Sequence, residues 1–262
     1  MKTPSILNCL PCVAMVLAIT VSADVKAAGW GSLKGRFVVD GQAAAPAPLN
    51  VSVEPFCVQH KPVDESVVIG DDGGLANVVV YLRAGRGDKV EVHPDYAATA
   101  TSPVTLDNHF CSFHPHVTLV RVGQPLVIKN SDPVGHNTKT SLKKNANFNQ
   151  TIPAGSEIPF TLTRAEALPL PVNCSIHPFM EGQLLVLDHP YMAASGEDGT
   201  FEIKNIPAGE HEFQFWHEAP GYLKRLKFQG GATSAQGRAK LKIADGETLD
   251  LGEIKVPTAA LK

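Results

Sequence analysis

The chain is poor in several things that would have pointed elsewhere. Aromatic residues make up 6% of 262, with two tryptophans. Basic charge is not in excess: the formal net charge is −3 with histidine neutral. A protein that neutralises nucleic-acid phosphates needs a basic face, so nucleic acid is not an expected partner. The sequence lacks the H-E-x-x-H spacing of zinc hydrolases, since His211-Glu212 and His217-Glu218 have no following histidine. It also lacks a G-x-S-x-G nucleophile elbow. Enzymatic chemistry is therefore not expected. Beyond the first residues, no apolar run is long enough to span a bilayer.

Glycine (22) and proline (20) are plentiful. Their abundance predicts many turns and short strands, and an all-β chain. Period-two alternation or continuous apolar runs predict strands over 33–39, 50–53, 66–69, 78–82, 116–122, 125–130, 147–151, 157–163, 182–188, 200–204, 210–216, 240–243 and 249–256. Residues 83–104 read as polar loop. The Asn-rich stretch 142–149 is too polar for a stable helix. Arg164–Leu168 is expected to make one helical turn before Pro169 and Pro171 impose extended backbone.

The first residues have the pattern of an export signal. Lys2 precedes an apolar run from Leu10 to Val21, then small residues, with cleavage expected after Ala23 or Ala27. The alternative is an uncleaved anchor, but the run is short for a span. Export to the periplasm or the exterior is the expectation, with residues 1–27 as the signal. The mature chain is expected to have no integral span.

Cys174-Ser175-Ile176-His177-Pro178-Phe179-Met180 lies 38 residues beyond His136. The side chains of His136, Cys174, His177 and Met180 are two imidazoles, one thiolate and one thioether, the donor set of a mononuclear electron-transfer copper site. The short loop supplies three donors, and Pro178 limits the freedom lost when the site forms. A lone C-x-x-H-x-x-M arises by chance often enough to need support. That support comes from Val120-Arg121-Val122-Gly123-Gln124-Pro125-Leu126-Val127-Ile128-Lys129-Asn130-Ser131-Asp132 followed by His136-Asn137. Together with the run Gln183–Leu187, these segments resemble the cupredoxins, the blue type 1 copper proteins, over roughly residues 105–188. The loop itself is most similar to that of amicyanins. The resemblance implies a Greek-key β-sandwich, one copper ion cycling between Cu(I) and Cu(II), and a redox partner protein. It also implies that Asn137 ties the two ligand loops together beside the sulfur. An apolar patch around His177, with Pro178 and Phe179, is the implied docking point. The His-Cys-His run of multicopper oxidases and the C-x-x-x-C of binuclear copper centres are both absent.

A second resemblance lies outside that stretch. Asp198-Gly199-Thr200-Phe201-Glu202-Ile203, then Ile206-Pro207-Ala208-Gly209-Glu210-His211 and Gly221-Tyr222, is similar to the carboxypeptidase regulatory-like (transthyretin-like) β-sandwich. Gly35–Val39 and Asn77–Leu82 are candidates for its opening strands. The expected organisation is an N-terminal β segment at 28–104, a cupredoxin domain at 105–190 and an accessory sandwich region at 191–262. A split sandwich holding the copper domain as an insert is one form of it.

Without the signal, three cysteines remain: Cys57, Cys111 and Cys174. The simplest solution pairs Cys57 with Cys111 and leaves Cys174 as the copper thiolate; the alternative leaves Cys57 and Cys111 free and buried. A second metal site from Cys111, His114 and His116 is weighed against a structural role for each. The expected function is single-electron transfer through copper. The alternatives are a copper capture or delivery protein and a secreted structural or binding module without redox work.

Overall fold

The computed structural model describes residues 29–42, 46–51, 54–85 and 87–261. The signal expected at 1–27 lies outside them. Among the described residues no helix is long and apolar enough to cross a membrane.

The protein is all-β, and its four main sheets stack in layers. Three strands form the first: Trp30–Asp40 lies between Thr200–Pro207, antiparallel, and Thr248–Pro257, parallel. In the second, Val79–Leu82 lies between Met192–Ala194 and Gly209–His217, and the latter also pairs with Arg238–Ile243 and Gly221–Tyr222. The third runs Val117–Arg121, Glu181–Leu187, Leu170–Asn173, His136–Thr140, Asn149–Ile152. The fourth runs Ser112–His114, Val104–His109, Pro125–Asn130, Glu157–Thr161.

Side-chain alternation explains the stacking, because successive residues of a strand point to opposite faces. Val78, Val80 and Leu82 join Phe37, Ile203, Phe213 and Phe215 in the core between the first two layers. Val79 and Tyr81 point the other way and meet Val117, Leu185 and Leu187 from the third layer, with Trp216. Leu184 and Val186, on the opposite face of that strand, join Leu106, Leu126 and Ile128 between layers three and four. Strands covered on both faces read as continuous apolar runs. That is why Val79–Leu82 and Gly182–Leu187 are buried residue after residue. Each fully buried large apolar side chain contributes roughly 1.5–3 kcal/mol from area removed from water.

Some expectations fail locally. Residues 50–51 and 66–69 form no strand; isolated bridges Pro48↔Val63 and Ile69↔Leu75 stand nearby, and 52–53 lie outside the described residues. Arg164–Leu168 makes bends rather than a helical turn, and its buried Glu166 carboxylate accepts from the backbone N–H groups of 143–145. A short helix, Pro55–His60, was not expected. Glu54 caps it by accepting from the Phe56 N–H, Pro55 opens it, and Lys61 ends it with φ of 49°. Cys57 of this helix is bonded to Cys111, with S–S 2.01 Å, so the pairing that the cysteine arithmetic favoured is present.

Candidate metal centre

The site sits at one end of the sandwich made by the third and fourth layers. His136 opens the strand His136–Thr140. Leu170–Asn173 runs beside it, Val172 opposite Thr140, and ends one residue before Cys174. The return strand starts at Glu181, opposite Asn173. The seven residues between them close as a tight hairpin loop, in which Cys174 N–H donates to the Met180 carbonyl (3.2 Å) and Met180 N–H to the His177 carbonyl (2.9 Å). Adjacent strand ends therefore deliver the two ligand segments to one point.

At that point the Nδ1 atoms of His136 and His177 are 2.9 Å apart, and Cys174 Sγ lies 3.8 Å from His177 Nδ1. One donor atom from each of the three fits within 4.8 Å of the others. All three are buried, and Met180 is buried in the same apolar cluster as Cys174. The sulfur accepts from two backbone N–H groups, Asn137 at 3.2 Å and His177 at 3.3 Å. Burial alone would push the Cys174 thiol up. The hydrogen bond to His136 and these backbone donors outweigh it and hold the thiol below its ordinary value. His177 is pushed down by burial and by His136, so its nitrogen stays available as a donor. The Asn137 side chain accepts from Ser175 N–H at 3.1 Å and donates to Asn149 at 3.1 Å. It links the strand bearing His136 to the loop bearing Cys174.

Sequence reasoning passed over Asp132. Its carboxylate is 1% exposed and accepts from His136 Nε2 (2.8 Å), Phe110 N–H (2.6 Å) and Cys111 N–H (2.9 Å). The contact fixes the ring so that Nε2 carries the proton and Nδ1 faces the sulfur, as partner carboxylates of metal-binding histidines do. Burial would lower His136, but Asp132 and Cys174 raise it to about 9. Phe110 and Cys111 are the central pair of a two-residue hairpin turn with φ of 50° and 59°. Turns of this kind normally use Asn-Gly, and a left-handed backbone is costly for non-glycine residues. Their two N–H groups are aimed at Asp132, which supplies the compensation. The only hint in the sequence was the Asn130-x-Asp132 pair before the histidine.

One open alternative closes and one implied feature needs correction. Cys111, His114 and His116 form no metal site: Cys111 is in the disulfide, His114 is exposed, and His116 Nε2 is bonded to Glu218. His177 does not reach the surface either, being 3% exposed. The Glu54 carboxylate is close enough to act on it, and Val51, Phe56 and Phe179 pack on the same cluster. The segment before the sandwich thus lies over this end, leaving Ser175, Ile176 and Pro178 as the exposed residues of the loop.

No family profile matches the sequence, and no curated protein matches it. Among solved structures, the copper-containing nitrite reductase NirK of Thermus scotoductus SA-01 is 22% identical over 40% of this chain and 25% of that one, with a TM-score of 0.30. An amicyanin variant in its oxidised state is 20% identical over 34% of this chain and 83% of its own, TM-score 0.29. A second amicyanin variant, reduced, is 18% identical over 41% and 97%, TM-score 0.30. This chain therefore spans a quarter of the nitrite reductase and most of each amicyanin. Likenesses this low in TM-score fix neither family nor function.

Proposed function

We propose that this chain is an exported cupredoxin that carries single electrons through one copper ion held by His136, Cys174, His177 and Met180, with no enzymatic turnover of its own. The observation that carries this reading is the convergence of two imidazole Nδ1 atoms on a buried, doubly hydrogen-bonded thiol within 4.8 Å. The donor set suits copper: soft thiolate and thioether favour Cu(I), and imidazole suits Cu(II). Bound there, copper would supply the one-electron couple. The chain's own residues do the rest. Asp132 holds the His136 ring, and Asn137 joins the ligand segments. The backbone N–H groups of Asn137 and His177 spread charge from the sulfur, and the apolar cluster excludes water. Little has to move on electron arrival, because each ligand is fixed by a strand end or a hydrogen bond.

The burial of His177 argues against rapid metal delivery, since exchange would require the covering segment to open. A redox partner protein would dock over Ile176 and Pro178. The strands at 30–40, 79–82 and 192–257 form, in this proposal, an accessory sandwich of the carboxypeptidase regulatory-like type, split in sequence around the copper domain. Periplasmic or extracellular placement fits the disulfide, which forms in oxidising compartments.

The test is the visible and EPR spectrum after one equivalent of Cu(II), beside a Cys174→Ser control. An intense thiolate charge-transfer band with narrow copper hyperfine splitting, lost in the control, is expected. A pale spectrum typical of nitrogen and oxygen ligands would overturn the reading.

A further inference from the structure

A cleft of about 740 Å³ lies between the last strand of the first sheet, Thr248–Pro257, and residues 220–228. None of its walls belongs to the centre described above. Its floor is apolar, lined by Tyr222, Leu226 and Phe228. Leu226 belongs to the core between the first two sheets, and Phe228 packs on that core, stacked on Phe215 at 6.0 Å. The floor is also pinned. The buried Thr233 hydroxyl donates to the Leu223 carbonyl at 2.8 Å and accepts from the Leu226 N–H at 2.9 Å. Between those two anchors stand Lys224 and Arg225, both exposed. Arg225 is held at φ of 57°, a left-handed backbone that is costly for a non-glycine residue, and its N–H donates to the Ser234 carbonyl at 3.2 Å.

The rim carries positive charge that the protein leaves unmatched. Lys224, Arg225, Lys227 and Lys255 line the cleft. Among the described residues, none of the four has a carboxylate oxygen within 4.0 Å. The other cations of the first sheet are matched: Lys34 meets Asp250 at 3.3 Å, Arg36 meets Asp72 at 2.7 Å, and Lys204 meets Glu202 at 3.3 Å. Two acids also reach the cleft, Asp40 and Glu253, and Glu253 is drawn toward Arg36 at 3.6 Å. A surplus of cations therefore stands over an apolar floor. Like charges gathered at one mouth repel one another, and an anion placed among them removes that cost.

We propose that this cleft binds an amphipathic organic anion, a carboxylate carried on an alkyl or aromatic body. The apolar body covers Tyr222, Leu226 and Phe228. The carboxylate meets Arg225, whose planar fork matches two carboxylate oxygens, with the lysines around it as point charges. The size fits, since small-molecule sites enclose about 300–1,000 Å³ and are mostly apolar, with a few polar groups that set orientation. An inorganic anion alone leaves the floor in water, and a cationic amphiphile is repelled by the rim. The left-handed backbone at Arg225 agrees, because such strain gathers at ligand clamps. This site needs neither Cys174 nor copper.

The probe is sodium laurate, titrated calorimetrically below its micelle concentration into the full mature chain, beside acetate and dodecyltrimethylammonium. One equivalent of laurate is expected to bind. Acetate keeps the head without the chain, and dodecyltrimethylammonium keeps the chain with the opposite charge; each is expected to bind at least about tenfold more weakly. Lys224→Glu combined with Lys227→Glu should weaken laurate by about tenfold or more. Both side chains are exposed and unpaired, so the fold is retained. Arg225→Gly removes the fork and relaxes the left-handed backbone, so it should weaken laurate without lowering thermal stability. Equal affinity for laurate and dodecyltrimethylammonium, undiminished binding in either variant, or no binding while the circular dichroism is native overturns the proposal. Adsorption to phosphatidylglycerol vesicles without binding of free laurate also overturns it, since the cations would then serve a surface and not a cleft.

Discussion

The two cores on either side of the shared central layers are filled with different materials. Between the first and second sheets the buried cluster is built from aliphatic and aromatic side chains, among them Phe37, Tyr191, Phe213 and Phe215. Its buried polar neighbours Ser195 and Gln214 bond mostly to backbone: Ser195 Oγ donates to the Leu75 carbonyl and accepts from Val78 N–H, and Gln214 Nε2 donates to the Gln236 and Gly237 carbonyls while its Oε1 accepts from Arg83. Between the third and fourth sheets, the apolar cluster gives way at one end to Asp132, His136, Asn137, Cys174 and His177, all buried and bonded chiefly to one another. Burying polar groups costs free energy unless they are paired, and the pairing here is local and dense. One sandwich is built for stability. The other gives up part of its core to a cluster of buried, hydrogen-bonded polar and sulfur side chains.

That contrast can be broken from either side. The largest effect should come from Phe213→Ala. The residue is fully buried in this largely apolar core, and the change should cost about 3–5 kcal/mol in urea unfolding. The visible copper spectrum of the folded fraction should not move; a shifted spectrum would mean that the two cores are not independent. Asp132→Asn should do the reverse. An amide has one acceptor oxygen where the carboxylate serves three donors, so buried N–H groups are stranded. A loss of about 2–3 kcal/mol is expected, with a change in copper spectrum and reduction potential that exceeds any caused by Phe213→Ala. An unaltered spectrum would remove Asp132 from the positioning of His136.

The smallest effect concerns pH. His189 is buried and lowered to about 4, chiefly by burial. Its unfolded value lies near 6.5, so between those two the unfolded chain binds more protons than the folded one. Stability is therefore full at neutral pH and falls as the pH drops through that window, by about 1–2 kcal/mol from about pH 7 to pH 5 for this group. Unfolding curves of wild type and His189→Asn at the two pH values should differ by that slope. Parallel behaviour would show that other groups set it.

Much of the frame was legible in the sequence. Strands at 125–130 and 182–188 announced themselves by alternation or by apolar runs, because their side chains meet a core at fixed period. The loop Cys174–Met180 stood out because copper chemistry would demand those residue types at that spacing. His136–Thr140 was not, since the strand reads His-Asn-Thr-Lys-Thr, with no apolar periodicity, and owes its burial to tertiary pairing. The helix Pro55–His60 was too short for any period to show, though Glu54-Pro55 is a helix-start signal. Asp132 escaped because its three donors come from segments up to 22 residues away. The burial of His177 escaped because it depends on a segment far earlier in the chain, around Glu54 and Phe56.

Trp30–Asp40 and Thr248–Pro257 lie side by side and parallel, Ser32 opposite Thr248. This pairing sets an order in time. The first sheet cannot be completed until residues 248–257 have left the ribosome, whereas every strand of the third and fourth sheets has emerged by residue 187. Pairings so distant in sequence form slowly, and domains tend to close as they are made. As the chain emerges N-terminus first, the sandwich formed by the third and fourth sheets is thus free to close first, while Trp30–Asp40 and Val79–Leu82 wait unpaired for partners still to come.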